Sequence, residues 1–228
     1  MEKQYSIIFW GNPQDNEGFD SVVESYIRLF ESIDTDSDVI TDLMIKSKGK
    51  YISKQSANFP NIVLSGVNKE NNRKFPELGY RVDFKLLICG KSSYGSILLG
   101  GTASKITNTF RLQLPCGIDL YDNLIREDLI NLFNNISHNY NWFWGALIDN
   151  EISKKYKISY NNNEPSTFYL MNYFDDSIVN GIENRITDDL KRKYGITINN
   201  NLVLFDISSF NEEGVDEINR TFLNHSIC

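Results

Sequence analysis

Hydrophobic and polar positions along the chain follow two periods, and the clearer one lies near the start. In residues 16–33 the apolar side chains recur at intervals of three and four, the spacing of an amphipathic helix. A short apolar run over 4–10 precedes it and ends at the turn sequence Gly11-Asn12-Pro13. We therefore predict a strand followed by a helix. The helix's apolar positions are Phe19, Val22, Val23, Tyr26, Ile27, Phe30 and Ile33.

A period of two marks the centre of the chain. Over residues 80–89 apolar side chains alternate with Arg81, Asp83 and Lys85, as in a strand with one buried face. Residues 96–99 and 108–114 show the same pattern. Pro115-Cys116-Gly117 interrupts the last of these strands, and a helix over 124–136 is predicted to follow. The centre therefore reads as a strand meander and then a helix.

Weaker patterns fill the rest of the chain. A short helix is predicted over 38–45, with Ser37 or Asp36 as its N-cap, and the Lys-rich residues 46–54 are predicted to form a loop. The second half offers three strands and two helices. The strands are 142–148, 167–173 and 202–207, and the helices are 177–194 and 212–223.

This mixture of strands and helices lacks strict β-α-β alternation and so predicts an α+β fold. We expect a largely antiparallel sheet with helices packed on one face. The 228 residues are 41% hydrophobic, enough for one sizeable core. Because no repeat or Pro-rich linker divides the chain, we expect one single domain over 1–228.

Charge and composition narrow the class of partner. The net charge of -7 has the wrong sign for binding a phosphate backbone, so no nucleic-acid partner is expected, whereas a basic protein would be attracted. No apolar stretch approaches the roughly 20 residues of a membrane helix, so no membrane association is expected. The start MEKQYSIIFWG lacks the features of a signal peptide, and three cysteines without CxxC spacing suit a reducing compartment. These features predict a cytoplasmic protein.

The sequence motifs that would bind a cofactor or a metal ion are incomplete, so we expect neither a cofactor nor a metal ion. Cys89-Gly90-Lys91-Ser92 is typical of the end of a phosphate-binding loop but lacks the earlier Gly. Asp34, Asp36 and Asp38 have the spacing that opens a calcium loop, yet the Gly and Glu required later are missing. The only histidines, His138 and His225, lie outside any recognisable motif.

Adjacent carboxylates keep an enzymatic alternative open. Asp175-Asp176 and Glu212-Glu213 could act as general acid and base, although such pairs more often cap helices or face solvent. A regulatory or scaffold protein is a second alternative, and composition alone does not separate it from other binding proteins. The main expectation is a protein that is not an enzyme and works by binding another protein.

Several segments together resemble the immunity protein 52 family of bacterial polymorphic toxin systems. The resemblance covers most of the chain, and the segment with Trp10-Gly11, NTFRLQLP and YLMNY contribute to it. Thr167-Phe168 departs from it, since a Gly-Trp pair is expected there. The full set of segments is 5–11, the first helix with Phe30, the acidic turn after it, 84–90, 108–115, 142–148, 168–173 and 202–224.

This resemblance implies a cytoplasmic antidote that binds a cognate toxin, often a nuclease, and blocks it without chemistry of its own. Since nucleic-acid tracks are basic, acidic side chains near predicted element ends are the candidate contacts. Aromatic side chains could anchor the interface if they are exposed, although such residues more often fill a core. They are Tyr140, Trp142, Trp144, Tyr160 and Tyr173. The candidate acidic contacts are Asp34, Asp36, Asp38, Asp42, Asp175 and Asp176.

Overall fold

Seven α-helices form within the part of the chain that the structure describes. The structure is a computed structural model, and it describes residues 3–13, 18–33, 37–70, 73–103, 107–156, 158–161, 164–199 and 201–223. The helices are α1 Phe19–Ile33, α2 Phe59–Ser65, α3 Asn123–His138, α4 Asn150–Lys155, α5 Asp176–Arg185, α6 Asp188–Tyr194 and α7 Glu212–Leu223.

Most of the strands join one antiparallel sheet of ten, in the order β13-β14-β12-β9-β1-β8-β7-β6-β2-β3. The pairs β4-β5 and β10-β11 are separate ribbons. The strands are β1 Tyr5–Gly11, β2 Ile40–Ser47, β3 Lys50–Ser53, β4 Lys69–Glu70, β5 Arg73–Lys74, β6 Leu78–Ile88, β7 Lys91–Gly101, β8 Asn108–Gln113, β9 Trp142–Asp149, β10 Tyr160–Asn161, β11 Glu164–Pro165, β12 Met171–Phe174, β13 Thr197–Asn199 and β14 Leu202–Leu204.

The first three helices lie on one face of this sheet and close the core. The ring of Phe9 on β1 lies 4.6 Å from that of Phe133 on α3, measured between centroids. Phe30 on α1 packs edge-on against Phe84 on β6 at 5.6 Å. The buried hydroxyl of Tyr26 accepts a hydrogen bond from the Leu99 N–H at 3.1 Å, which ties α1 to β7. The α+β class, the antiparallel sheet and the single domain are thus confirmed.

Among the described residues, the opposite face is covered where the sheet includes β1, β9, β12 and β14. Trp10 and Trp144 stack there, and Tyr160 of the β10-β11 ribbon packs over them. Further along, Phe174 contacts Phe168, whose N–H donates to the side chain of Asn219 on α7. The C-terminal part of the chain therefore shields this half of the second face. In the part of the chain that the structure describes, no helix or ribbon packs on that side of strands β8, β7, β6, β2 and β3.

The helix predicted over 38–45 is wrong, because this segment enters strand β2. Ile40 and Ile45 are buried and pair with β6 at Ile88 and Phe84. The residues predicted to form the loop 46–54 instead complete a hairpin to β3. Pairing with the sheet buries these apolar side chains, and this long-range gain outweighs the weak local helix signal.

Two further differences follow from turns. The helix predicted over 177–194 divides into α5 and α6 at Ile186, because Thr187 accepts a hydrogen bond from the Leu190 N–H and starts a new helix. The segment at Cys89 and Gly90 is a two-residue hairpin turn with positive φ at both positions, and a strand follows it. Its similarity to a phosphate loop is therefore confined to the sequence.

Candidate functional site

The candidate site is the uncovered half of the second sheet face, which we name the open face. It consists of Lys46, Tyr51, Arg81, Asp83, Lys85, Tyr94, Ser96, Arg111 and Gln113. Strand register places them on one side: Asp83 pairs with Ser96, Ser96 with Arg111, and Arg111 with Ile8. Continuing the row, Ile8 pairs with Ala146, which is buried. The open face thus begins where the C-terminal cover ends.

Alternation in β6 and β8 explains why these side chains face solvent. In β6 the neighbours of Asp83 are Val82 and Phe84, both buried against the helices. In β8 Phe110 and Leu112 are buried, whereas Arg111 between them is exposed. Successive side chains of a strand point to opposite faces of the sheet. Because the apolar side chains of these strands are buried under the helices, the polar side chains between them lie on the open face.

One acidic side chain on the open face is held between two cations. Arg81 Nε donates to Asp83 Oδ1 at 2.9 Å, and Lys46 Nζ lies 3.4 Å from Asp83 Oδ2. These groups are partly exposed, so the pairs contribute little to stability. Their effect is to neutralise the carboxylate and to hold Arg81 and Lys46 in place across the strands.

Aromatic side chains lie beside this charged row. Tyr94 is 55% exposed, and its ring centroid lies 6.4 Å from that of Tyr51. Lys85 Nζ lies 5.2 Å from the centroid of the Tyr51 ring, in a cation-π arrangement. Together they form a semi-rigid aromatic and cationic surface next to the ion pairs.

Arg111 completes the open face as its least restrained cation. In the described part of the chain it forms no ion pair. It lines a shallow depression of about 300 Å³ on the surface. The open face therefore carries four cationic side chains against one carboxylate, within a chain whose net charge is -7. The depression is lined by Tyr51, Arg81, Asp83, Tyr94, Gly95, Ser96, Arg111 and Gln113.

A second, smaller cavity of about 210 Å³ lies between α3 and β14. Its walls are mostly apolar, with Arg126 and Asp206 among the polar lining groups. Asp206 accepts hydrogen bonds from the hydroxyl and the N–H of Ser208, which lower the pKa of this carboxyl. Asp206 is thereby committed to closing a turn and is a poor proton donor.

Of the six acidic contacts predicted from the sequence, the four that the structure describes lie in two separate places. Asp34 and Asp36 lie outside the described residues. Asp38 is exposed just before β2, and Asp42 is exposed within it, with φ of 53° at an irregularity in the register. Asp175 follows β12, six interstrand steps from β2, or roughly 29 Å at about 4.8 Å a step.

Asp175 and Asp176, which the sequence predicts to contact a partner protein, both accept hydrogen bonds within the chain. Asp175 caps α5, accepting hydrogen bonds from the Ser177 N–H at 3.0 Å and the Ser177 hydroxyl at 2.6 Å. Asp176 accepts one from Asn201 Nδ2 at 2.8 Å and is exposed. Their contact with a partner stays a prediction.

Two carboxylates of the last helix, those of Glu212 and Asp216, are also paired. Glu212 lies 3.1 Å from Lys155 Nζ, and the hydroxyl of Tyr156 donates to Asp216, which lowers the pKa of Asp216. These contacts join α4 to α7. Within the described residues no cluster of three His, Cys, Asp or Glu side chains could hold a metal ion. In the same residues, no helix combines the length and apolar character needed to cross a membrane.

Comparison with known proteins finds matches among solved structures. No protein-family model matches the chain, and no curated protein matches it. Among solved structures, the Pseudomonas aeruginosa T6SS protein PA0821 is similar, with a TM-score of 0.49 and 10% sequence identity. The match covers 96% of this chain and 75% of that one. At this identity and TM-score the similarity informs on neither function nor partner.

The sequence did not indicate that the residues of the open face form one surface. The alternation in 80–89 placed Arg81, Asp83 and Lys85 on one side of a strand, and the pattern in 108–114 contained Arg111. No local signal indicated that β6, β7 and β8 would be neighbours in this register. Nor did any signal show that the C-terminal segments would cover the sheet only as far as β1.

Proposed function

We propose that this chain is a non-catalytic binding protein that neutralises a partner toxin. The observation that carries the proposal is the open face, where Arg and Tyr side chains stand exposed on a rigid sheet. Arg and Tyr are enriched in protein interfaces and in the residues that dominate their affinity. The surrounding core is closed by helices on the other side, so the face can make contact without unfolding.

The chemistry of the open face favours binding over catalysis. The depression there is shallow, and its single carboxylate forms ion pairs with Arg81 and Lys46. A general base needs a free proton-accepting atom aimed at a substrate, and Asp83 is already satisfied by two cations. The paired carboxylates of α7 likewise act as links between helices.

The resemblance to the immunity protein 52 family supports a toxin as the class of partner, and a nuclease as its most suitable activity. It also supports action in the cytoplasm, where such a toxin would reach nucleic acid. A stable complex would require a well-packed interface of about 1,200–2,000 Å² in total. The sheet strands β2, β3, β6, β7 and β8 offer a continuous surface for part of that area.

Co-expression tests this proposal directly. The chain would be expressed in bacteria together with the toxin encoded immediately upstream, and the purified pair would be studied by calorimetry. Rescue of growth with tight, stoichiometric binding is expected. Binding without rescue would favour a regulatory or scaffold protein. If the pair shows no binding and growth is not rescued, the proposal is contradicted and an enzymatic role returns to consideration.

A further inference from the structure

We infer that the open face receives an acidic patch of the partner protein. This inference rests on the proposed function and deepens it by naming the surface and the chemistry it recognises. The occupant would present carboxylates together with a planar or apolar group. The cations of the open face would bind the carboxylates, and its tyrosine rings would pack against the planar or apolar group.

The sign of the local charge carries the first step. Outside the open face the chain has enough acidic groups to make its net charge -7, whereas the open face carries four cations and one carboxylate. An acidic patch would be repelled by most of this surface and attracted here. Opposite potentials fix the orientation of a complex, because like charges placed together cost binding energy.

Arg111 carries the second step. Asp83 already neutralises part of the charge of Arg81 and Lys46. Arg111 is two interstrand steps away from Asp83, with Ser96 between them, or roughly 10 Å at about 4.8 Å a step. Its planar guanidinium is therefore available for a bidentate pair with a carboxylate, a short and directional interaction.

The exposed tyrosine carries the third step. Tyr94 pairs directly with Gln113 on β8 and Lys85 on β6 in the strand register, so it lies one row from Arg111. With 55% of its surface exposed, it has contact area to bury on binding. Tyr side chains have few rotatable bonds and lose little conformational entropy when a partner covers them.

Two other occupants fit less well. A nucleic acid would approach a chain of net charge -7 against a repulsive long-range field. A second copy could offer its own acidic surface, but such a head-to-tail contact would leave another open face exposed unless the copies closed into a ring. The rest of the chain is acidic, so it would still attract a partner whose surface is basic outside the acidic patch.

The test uses the full chain and the toxin from the co-expression experiment. Arg111→Glu and Tyr94→Ala would be compared with Arg192→Glu and Tyr121→Ala, which change exposed side chains away from the open face. Unlike Arg111, Arg192 forms an ion pair with Asp189 at 2.6 Å. Arg111→Glu is expected to raise Kd by about 30-fold or more, and the Arg192→Glu control by less than about 3-fold. Circular dichroism and thermal melts would establish that each variant is folded.

A second probe needs no toxin. Oligoglutamate would be titrated into the isotope-labelled wild-type chain at low salt, with oligolysine as the control, and amide shifts would be followed by NMR. Oligoglutamate is expected to shift residues around Arg111, Tyr94 and Lys85, and these shifts should disappear in Arg111→Glu. Oligolysine should leave this region unchanged.

The outcomes separate the inference from the proposed function. Folded Arg111→Glu and Tyr94→Ala variants that neutralise and bind the toxin like wild type would overturn the inference and leave the function standing. A wild-type chain that shows the oligoglutamate shifts but does not bind the toxin would overturn the function and support the acidic preference. The inference would also be overturned if oligoglutamate shifted amide signals away from the open face, or if single-stranded DNA produced equal amide shifts. Self-association that Arg111→Glu abolishes would overturn it as well.

Discussion

Trp10 and Trp144 face each other across strands β1 and β9, and their rings stack with centroids 4.2 Å apart. They mark the border between the covered and the open parts of the second sheet face. In one direction the same row of the sheet continues to Phe174, which is buried. In the other it runs through Thr109 and Leu98 towards the open face.

Replacing Trp10 tests how much this border stabilises the fold. Trp10→Ala would remove the stacking on Trp144 and leave a cavity beneath Tyr160. We expect the free energy of unfolding to fall by about 3–5 kcal/mol. Urea denaturation would measure the loss. Tyr121→Ala, at a side chain 65% exposed, should change it by less than about 0.5 kcal/mol. A loss below about 1 kcal/mol for Trp10→Ala would argue that the C-terminal cover packs loosely here.

Two glycines should respond to alanine in opposite directions. At Gly95 an added Cβ would lie 2.2 Å from Phe84 Cζ and 2.8 Å from the Arg111 carbonyl oxygen. Gly95→Ala should therefore destabilise by about 1–3 kcal/mol through overpacking. Gly181 lies inside α5, with its nearest neighbour 4.0 Å away, so Gly181→Ala should stabilise by about 0.5–1 kcal/mol. Thermal and urea unfolding of both variants would check the signs, and equal effects would refute the packing around Phe84.

Burial of Tyr169 predicts a loss of stability at alkaline pH. Desolvation raises its pKa from 10.0 to about 12. Between these values the folded chain keeps the proton while the unfolded chain loses it, so the free energy of unfolding should fall as pH rises. Tyr5 and Tyr173, whose pKa values are also raised to about 12, add to this trend.

Urea midpoints at pH 9 and pH 11 would measure the effect. Tyr169→Phe should make the pH dependence shallower, because the variant has no proton to lose at this position. At neutral pH it should change stability by no more than about 1 kcal/mol, since the Tyr169 hydroxyl has no hydrogen-bond partner among the described residues. An unchanged slope in Tyr169→Phe would assign the pH dependence to other groups.

The two neighbouring acidic residues at the start of α5 should behave differently. Asp175→Ala removes the cap of this helix and should cost about 0.5–2 kcal/mol. Asp176→Ala changes an exposed side chain and should cost less. Urea unfolding of the two variants would compare them. A larger loss for Asp176→Ala would contradict the assignment of Asp175 as the cap.

The acidic residues before β2 provide a test in solution kinetics. Charge reversal at Asp34, Asp36 and Asp38 should slow association with a basic partner, most strongly at low salt, because exposed charges are screened as salt rises. Stopped-flow measurements at two ionic strengths would detect the change, with the open-face variants as a comparison. Unchanged association rates would remove this cluster from the steering of the complex.

Elements with a strong internal pattern were predictable from the chain alone. The first helix was expected over 16–33 and forms over Phe19–Ile33, and the last was expected over 212–223 and forms over Glu212–Leu223. Strand β6 likewise follows the alternation over 80–89. In each case one face of the element is apolar, so the segment itself specifies which side must be buried.

Residues 38–47 show what local pattern did not decide. Their apolar side chains suit either a helix or a strand, and pairing with β6 determined the outcome. The open face is a second case, since its members come from five strands and meet only through register. The amino-acid sequence by itself therefore determined the strongly patterned elements, the acidic balance and the fold class. Only the tertiary structure decided which polar residues share a surface, because exposure depends on the segments that pack over each strand.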